Sequence, residues 1–352
     1  MKERTLLKAI LGVSVLVTFT VLPLAVCAES AQPNPSGHEK VSINLLGGPF
    51  GVSSYIASFT LAELINKKSA WLRVTATESK GSPMNIKTLM ADPKKKKTHA
   101  IMSSASVEYL ARNGLPPFEA KYTTLKAISA YGAFAPTFIT LDPSIKATGE
   151  DFLDKKIGLS APLGADTVMA RAIFEHGFGS PFKKFKVQYL GWGGVLDALA
   201  DGTLDIGYIG VGQLGGDKFI ATPALQKFMA TAKKDIHWIS FPPELITKAR
   251  AGSGLPTYSV HVPAGALGPK QTEAYDGFAD SVGWWADIEM DDEIPYEIAR
   301  IIYEYHQEIW PAHKVLTYLV PATMGVMVST EHYLHPGALK LYKQHGIRIG
   351  AK

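Results

Sequence analysis

The stretch LGGPFGVSSY, residues 46–55, decides the fold class of this chain. It follows the apolar run VSINLL, residues 41–46, and precedes an amphipathic run from Tyr55 to Asn66, which together predict a strand, a glycine-rich turn and a helix. Ser53 and Ser54 are suited to cap that helix. Because the free N–H groups of a helix start favour an anion, we expect this turn to form one wall of an anion-binding pocket. An ordinary strand-to-helix turn would use the same residues.

The same unit recurs along the chain, which argues for an α/β fold. Further polar turns follow predicted strands at residues 79–83 (SKGSP), 103–106 (SSAS), 162–167 (PLGADT) and 191–194 (GWGG). The apolar run from Leu125 to Leu141 is too long for one strand. We therefore expect one strand to end near Tyr131 and another to begin near Thr137, where the chain passes between two lobes. Because ligands of open α/β sheets bind at the carboxyl ends of strands, two such lobes would trap a small anion between them.

Composition and motifs exclude several classes of function. The chain has 352 residues, enough for about two domains, and its formal charge is only +4. No arginine-rich stripe with interleaved aromatics is present, so nucleic-acid binding is disfavoured. There is no Gly-x-Ser-x-Gly elbow, Walker A sequence or HExxH, so we predict no catalytic residue and no cofactor. His332 and His335 have a spacing that could suit a metal, but Pro336 places them in a turn, and we expect no metal site. The lysine run 94–97 predicts a solvated loop.

The amino terminus has the pattern of a secretory signal peptide, residues 1–28. Basic residues at positions 2, 4 and 8 precede an apolar run over 9–26, and the small residues of Val26-Cys27-Ala28 predict cleavage after Ala28. A retained membrane anchor and a lipoprotein modified at Cys27 are the alternatives. Cys27 is the only cysteine, so the mature chain would lack thiols and disulfides, as suits a protein of this size in the periplasm. Residues 29–39 read as a flexible leader.

Three sequence blocks carry a resemblance to a known family. The first is YLGW at 189–192, with DAL at 197–199 and DGTLD at 201–205. The second is LHPGAL at 334–339, with Tyr342 and Gly346 after it. The third comprises the turns at 47–55 and 81–85. Over nearly all of the mature chain, the sequence resembles the TAXI solute receptors of TRAP transporters, the tripartite ATP-independent periplasmic transporters.

The resemblance implies a type II periplasmic binding-protein fold, with two α/β lobes joined by crossover strands around a ligand cleft. Residues 40–135 and 238–352 would form lobe I, and residues 136–237 lobe II. It also implies that the protein is not an enzyme. It would bind a small organic solute, a carboxylate or an amino-acid-like molecule, and deliver it to a TRAP-type integral membrane permease. A sensor for a membrane signalling partner, or an enzyme on the same fold, are the alternatives.

The chain departs from the family pattern at places that bear on the ligand. The turn SAPLGADT, residues 160–167, has fewer glycines than usual and carries Asp166, which would repel a carboxylate unless it points away or caps the helix. Lys80 replaces a small or polar residue, and is either a countercharge for an anion or an exposed loop lysine. Trp192 could stack on a ligand or be merely structural.

We expect the ligand to bridge both lobes and so to favour the closed state. Backbone N–H groups of the turns should matter as much as side chains. The predicted ligand-binding residues are Phe50, Ser53, Ser54, Tyr55, Lys80, Gly81, Ser82, Asn85, Ser104, Tyr131, Pro162, Gly164, Ala165, Thr167 and Trp192.

Overall fold

A computed structural model describes residues 38–50, 52–215 and 218–350. The predicted signal peptide and nearly all of the predicted leader lie outside the described residues. The strands are β1 Val41–Leu46, β2 Leu72–Thr77, β3 His99–Ser104, β4 Leu125–Phe134, β5 Thr137–Thr140, β6 Lys156–Leu159, β7 Lys186–Tyr189, β8 Ile206–Ile209, β9 Val211–Gly215, β10 Lys218–Ala221, β11 His237–Trp238, β12 Tyr258–Val262 and β13 Tyr275–Asp287. The α-helices are α1 Ser53–Lys68, α2 Ser82–Ala91, α3 Pro93–Thr98, α4 Ala105–Asn113, α5 Gly149–Leu153, α6 Ala165–Ala172, α7 Gly191–Ala200, α8 Pro223–Thr231, α9 Pro243–Ser253, α10 Glu293–Tyr305 and α11 Pro336–His345.

The strands form two sheets, one centred in each lobe. The sheet of lobe I has the order β10-β9-β4-β13-β3-β1-β2, and the sheet of lobe II has the order β11-β5-β8-β6-β7. In lobe I, β1 runs parallel to β2 and β3; in lobe II, β6 runs parallel to β7 and β8. The carboxyl ends of these parallel strands therefore share one edge in each lobe. The predicted α/β class, with two lobes joined by crossover strands, is confirmed.

Each lobe has its own apolar core. In lobe I, Trp284 and Trp285 are both fully buried, on opposite faces of β13, with helices α1 and α10 covering the sheet. In lobe II, Phe138 stacks on Tyr208 with ring centroids 4.1 Å apart, inside a group of mostly phenylalanine rings. These two cores fix the sheets whose edges carry the polar turns.

Strand β13 passes from one lobe to the other. Its first half pairs with β12, where Tyr258 is opposite Ala279, and its second half pairs with β3, where Trp284 is opposite Met102. The lobe boundaries inferred from the sequence remain a prediction. Because Ile246 and Phe278 pack in the core of lobe II, we propose that the chain returns to lobe I within β13 rather than near residue 238.

The block LHPGAL has a structural role at the start of α11. His335 is buried; its Nδ1 accepts from the Gly337 N–H at 3.4 Å, and its Nε2 lies 3.2 Å from the Asp287 carbonyl oxygen, to which it can donate. Burial lowers the pKa of His335, so the ring is held neutral. A Cβ on Gly337 would lie 1.9 Å from the Asp292 carbonyl oxygen, so this position requires glycine. Within the described residues, no group of three or more His, Cys, Asp or Glu could hold a metal ion.

One local prediction was wrong. The lysine run 94–97 lies in α3 rather than in a loop, because the Asp92 side chain accepts from the Lys94 N–H at 2.9 Å and caps that helix. Helix α10 ends at Tyr305, and the chain continues as a 3-10 helix over His306–Ala312. Across the described ranges, no helix has both the length and the apolarity needed to span a membrane.

Candidate functional site

The three polar turns of lobe I are linked to one another by hydrogen bonds. The Ser79 hydroxyl donates to the Gly47 carbonyl oxygen, which joins the second turn to the first. The Asn85 amide donates to the carbonyl oxygens of Gly47 and Met102, both at 2.8 Å. The Ser104 N–H donates to the Ser82 hydroxyl at 3.3 Å, which joins the third turn to the second. The predicted site residues of lobe I therefore lie together at one edge of its sheet.

Two of these predicted residues are buried beneath the turns. Asn85 is fully buried and its amide nitrogen is occupied by backbone carbonyls, so it supports the turns from below. Tyr131 is also buried; its ring lies against Trp284, and its hydroxyl lies beside the Ser54 side chain without reaching hydrogen-bonding geometry. Burial raises the pKa of Tyr131 well above its ordinary value, so the phenol stays protonated. The Tyr131 hydroxyl is thus a second buried polar group, after the Asn85 amide, that lies next to the first turn.

The residues at the mouth of these turns are more exposed. Phe50 is 76% exposed and meets the Tyr55 ring edge-on, with centroids 5.4 Å apart. Ser53, Gly81 and Ser82 are half-buried, and Lys80 is exposed, as the loop-lysine alternative expects. This part of the site is open to a ligand from solvent.

Helices α1 and α2 begin without a side-chain cap. Val52 and Gly81 precede them, and neither accepts a hydrogen bond with its side chain. Gly81 has φ +95°, a conformation that favours glycine and turns the chain sharply into α2. No side chain of the described residues therefore caps the first turn of α1 or α2, and the unbonded N–H groups there can bind an anion.

The start of α4 is already occupied by a carboxylate of the chain itself. Strand β13 pairs Val282 with Ser104, so Asp280, two residues earlier on the same face, lies at the start of the helix. The Ser106 N–H donates to both Asp280 oxygens, at 3.2 and 3.3 Å, and the Ser104 hydroxyl lies close enough to lower the pKa of Asp280. Asp280 is 0% exposed, and burial raises its pKa to about 7 despite these hydrogen bonds.

In lobe II, a second buried carboxylate, that of Asp166, lies in the first turn of α6. It is 4% exposed and accepts from the Ser160 N–H at 3.3 Å. A Cβ on Gly164 would lie 2.3 Å from Asp166 Oδ1, so the side chain folds back over its own turn. Burial raises the pKa of Asp166. The carboxylate therefore points back toward the preceding turn, and its bonds come from Ser160 and Trp192 rather than from a cap of α6.

The other predicted residues of lobe II surround this turn. The Thr167 hydroxyl donates to the Ala161 carbonyl oxygen at 2.6 Å, which closes the turn around exposed Pro162. Ala165 packs against the core of lobe I, and α6 contacts α4, so the two lobes meet at this position. The structure thus brings Thr167 and Gly164 to the edge that faces lobe I, with Ala165 in the contact between the lobes.

Trp192 joins the two turns of lobe II. Its indole Nε1 donates to Asp166 Oδ2 at 3.3 Å. Its ring lies flat against the end of β8, because a Cβ on Gly210 would lie 2.1 Å from the ring. The side chain is half-buried, so one part of the indole remains accessible.

Tyr208 connects the two carboxylates, Asp166 and Asp280, which we call the carboxylate pair. It lies in β8, is buried, and its pKa is raised far above the ordinary value, first by burial and then by the negative charges of Asp166 and Asp280. It therefore lies within electrostatic reach of both members of the pair. Neither carboxylate forms an ion pair with a lysine, arginine or histidine anywhere in the part of the chain that the structure describes.

Exposed apolar side chains surround the space between the two edges, which we call the cleft. Phe50, Val52 and Met84 lie on the side of lobe I. Leu163, Tyr189 and Leu190 lie on the side of lobe II. The cleft therefore combines an apolar mouth, uncapped helix starts in lobe I and a buried carboxylate pair.

Sequence reasoning missed Asp280, Ser106 and Tyr208. A signal for Asp280 was present, since it is the single charge inside the run GFADSVGWW, residues 277–285. A lone acid in a buried strand requires a partner or a function. It lies inside strand β13 rather than in a polar turn, so the turn pattern did not include it.

Two α/β lobes with polar turns facing each other across a cleft define the class of two-lobed solute-binding proteins. The chain belongs to the NMT1-like family, whose sequence model matches residues 45–346. Comparison with curated proteins finds no significant match.

Solved structures of periplasmic binding proteins are similar at low identity. The aliphatic sulphonate binding protein SsuA from Escherichia coli is 12% identical, with 88% of this chain and 93% of that chain covered and a TM-score of 0.44. MatC from Rhodopseudomonas palustris, solved with malate, is 10% identical, with 86% and 95% covered and a TM-score of 0.45. Rpa4515 from R. palustris, solved with adipate, is 13% identical, with 75% and 83% covered and a TM-score of 0.45.

Proposed function

We propose that this chain is a periplasmic solute receptor of the TAXI type. It would be exported by the signal peptide that ends at Ala28, bind one small organic solute in the cleft and deliver it to a TRAP-type membrane permease. The observation that carries the proposal is that the polar turns of both lobes meet across one cleft, with the starts of α1 and α2 uncapped. The sequence blocks that resemble the TAXI receptors support the choice of partner.

The uncapped helix starts are suited to a carboxylate of the solute. Their N–H groups, together with the hydroxyls of Ser53 and Ser54, would supply hydrogen-bond donors, and the helix dipoles would favour negative charge. The start of α4 cannot do the same, because Asp280 already accepts from its Ser106 N–H. At the start of α6, the buried Asp166 carboxylate would repel a second carboxylate. A carboxylate on the solute would therefore be bound by lobe I, at the turns after β1 and β2.

Closure follows from contacts that only the closed state offers. A solute held by the turns of lobe I would reach Trp192 and the turn before α6 only when the lobes approach each other. It would therefore bind the closed state more tightly and shift the population toward it. A shift from 1:99 to 99:1 requires about a 10⁴-fold preference for the closed state. The closed shape would be the form that the permease recognises.

The test is a thermal-shift screen of the mature chain with carboxylates, amino acids, amines and aromatic acids, followed by calorimetry on any solute that raises the Tm. We expect one solute per chain, recovered chemically unchanged, with stabilisation of about 2.7 kcal/mol at a solute concentration 100 times the Kd. Trp192→Ala should abolish the shift, whereas Thr231→Ala, at an exposed position on α8, should keep it. Turnover of the solute would contradict the proposal, and so would a complete absence of binding across the panel.

A further inference from the structure

The carboxylate pair has no cationic partner within the described chain. Asp280 receives hydrogen bonds from the Ser106 N–H, and Asp166 receives them from the Ser160 N–H and the Trp192 indole. These donors are all neutral. A buried carboxylate without a countercharge is costly, so a folded protein normally supplies a lysine or arginine or neutralises the acid. Neither residue type pairs with either acid.

Two further polar groups beside the pair lack a bond to it. The Ser106 side chain is fully buried close to the Asp280 carboxylate, yet its hydroxyl does not reach hydrogen-bonding geometry with any described group. The Tyr208 side chain is close enough to both carboxylates for their charges to act on it, but it bonds to neither. Acceptors and hydroxyls that lie close together without bonding to one another are suited to a donor from outside the chain.

The pair also lies where a solute would bridge the lobes. Asp280 is at the start of α4 in lobe I, Asp166 is at the start of α6 in lobe II, and these helices contact each other. Trp192 donates to Asp166 and presents part of its indole to the cleft. A group placed beside the pair would therefore touch both lobes at once.

We propose that the solute carries a positively charged nitrogen, a primary ammonium or an amidinium, that binds between Asp280 and Asp166. The inference rests on the proposed receptor function and specifies the chemistry of its ligand. The nitrogen supplies the missing countercharge and several N–H donors for the carboxylate oxygens and the Tyr208 and Ser106 hydroxyls. The helix starts of α1 and α2 are suited to an anion, and the mouth of the cleft is apolar. The solute that fits best is therefore a zwitterion with an apolar spacer.

The test compares solutes that differ only in the charge of their end groups. Adipate, 6-aminohexanoate and 1,6-diaminohexane all have six carbons. Adipate carries two negative charges, 6-aminohexanoate carries one charge of each sign, and 1,6-diaminohexane carries two positive charges. Succinate, 4-aminobutanoate and putrescine repeat the series with four carbons, and terephthalate, 4-(aminomethyl)benzoate and p-xylylenediamine repeat it with an aromatic spacer. Thermal shift and titration calorimetry are measured for the wild type, Asp280→Asn, Asp166→Asn and Asp201→Asn, the last being an exposed carboxylate at the end of α7.

We expect an amine-bearing member of at least one series to bind, and its diacid counterpart to bind at least tenfold more weakly. Asp280→Asn and Asp166→Asn should each lower the affinity for the amine solute at least tenfold. Each should also reduce the protein's preference for the amine over the diacid. Asp201→Asn should leave affinity and preference unchanged. Near-ultraviolet circular dichroism checks that each variant is folded, and Asp166→Asn tests the idea separately if Asp280→Asn fails to fold.

Three results would overturn the inference. In the first, no amine-bearing member binds the wild type. In the second, the diacids bind more tightly than their amine counterparts. In the third, folded Asp280→Asn and Asp166→Asn keep the wild-type preference for amines. If simple carboxylates bind stoichiometrically in any of these cases, the receptor function stands and only the ligand chemistry is wrong.

Discussion

Replacing Asp280 by asparagine should change how the stability of the solute-free protein depends on pH. Asparagine has nearly the same shape as aspartate and can still accept from the Ser106 N–H, so the helix start keeps a partner. What the substitution removes is a carboxylate that is 0% exposed and whose pKa is raised to about 7. The stability of the variant should therefore not be lowered by ionisation of a buried carboxylate as the pH rises.

The expected magnitude follows from the two pKa values. In the unfolded chain the carboxyl has the ordinary value of 3.8, and in the folded protein about 7. A folded-state pKa that is raised means that the folded protein holds the proton more tightly, so stability is highest at low pH and falls as the pH rises toward the folded pKa. At about 1.4 kcal/mol per pKa unit, the wild type should lose about 2.5 kcal/mol between pH 5 and pH 8 from this group.

The measurement is urea unfolding by tryptophan fluorescence at half-unit steps from pH 5 to pH 8, for the wild type and Asp280→Asn. The free energy of unfolding of the variant minus that of the wild type should rise by about 2.5 kcal/mol across this range. Glu108, whose pKa burial also raises to about 7, acts equally in both proteins and cancels in the difference. Asp201→Asn, exposed on α7, should follow the wild-type curve throughout.

A flat difference between the two curves would refute the reasoning, because it would mean that the folded-state pKa of Asp280 lies at or below its ordinary value of 3.8. A cation beside the carboxylate would give this result, since it lowers the pKa. That outcome would also remove the electrostatic basis for expecting a cationic solute.

Three other substitutions test the support of the cleft. Gly210→Ala should weaken solute binding at least tenfold in calorimetry, because its Cβ would lie 2.1 Å from the Trp192 ring and displace it from Asp166. Gly337→Ala should lower the free energy of unfolding by about 1–3 kcal/mol in urea, because a backbone carbonyl lies 1.9 Å from the new Cβ. Asn85→Ala should lower it by about 2 kcal/mol, because it leaves buried carbonyl oxygens of two turns without that donor.

Matched controls separate these effects from the general cost of substitution. Gly277→Ala places a Cβ in open space on β13 and should change neither solute affinity nor stability by much. Asn113→Ala removes an exposed amide that bonds one carbonyl, and should cost less than Asn85→Ala. Unchanged solute affinity in Gly210→Ala would mean that the indole does not contact the solute. Wild-type stability in Gly337→Ala or Asn85→Ala would contradict the packing described for those positions.

The repeated strand-turn-helix pattern was readable from the sequence because it depends on local composition. Glycine and serine after an apolar run indicate where a strand ends, and the parallel order of the strands then places the turns at one edge. This reasoning located the turns at residues 46–55 and 160–167 in the two lobes. It could not show that Asn85 lies beneath those turns, because that depends on how closely the first and third turns approach each other.

The charge of the cleft could not be read from local sequence. Asp280 reaches the start of α4 only because β13 pairs with β3, and that register depends on packing between distant parts of the chain. For Asp166 the sequence allowed two orientations, and only the bond from Trp192 and the fold of the turn over Gly164 select one. The expected anion site of lobe I thus remains a proposal for the starts of α1 and α2. At the starts of α4 and α6, the nearby side chains are the carboxylates of Asp280 and Asp166.

The position of β13 also bears on when the protein can fold. The sheet of lobe I has β13 at its centre, where it pairs with β3 and β4, although it is synthesised long after both. Until then, the earlier strands of lobe I lack the element that joins them, and contacts between such distant segments make folding slow. A chain that folds slowly stays extended for longer after synthesis. For a protein proposed to cross a membrane before it folds, this strand order would itself delay folding until export.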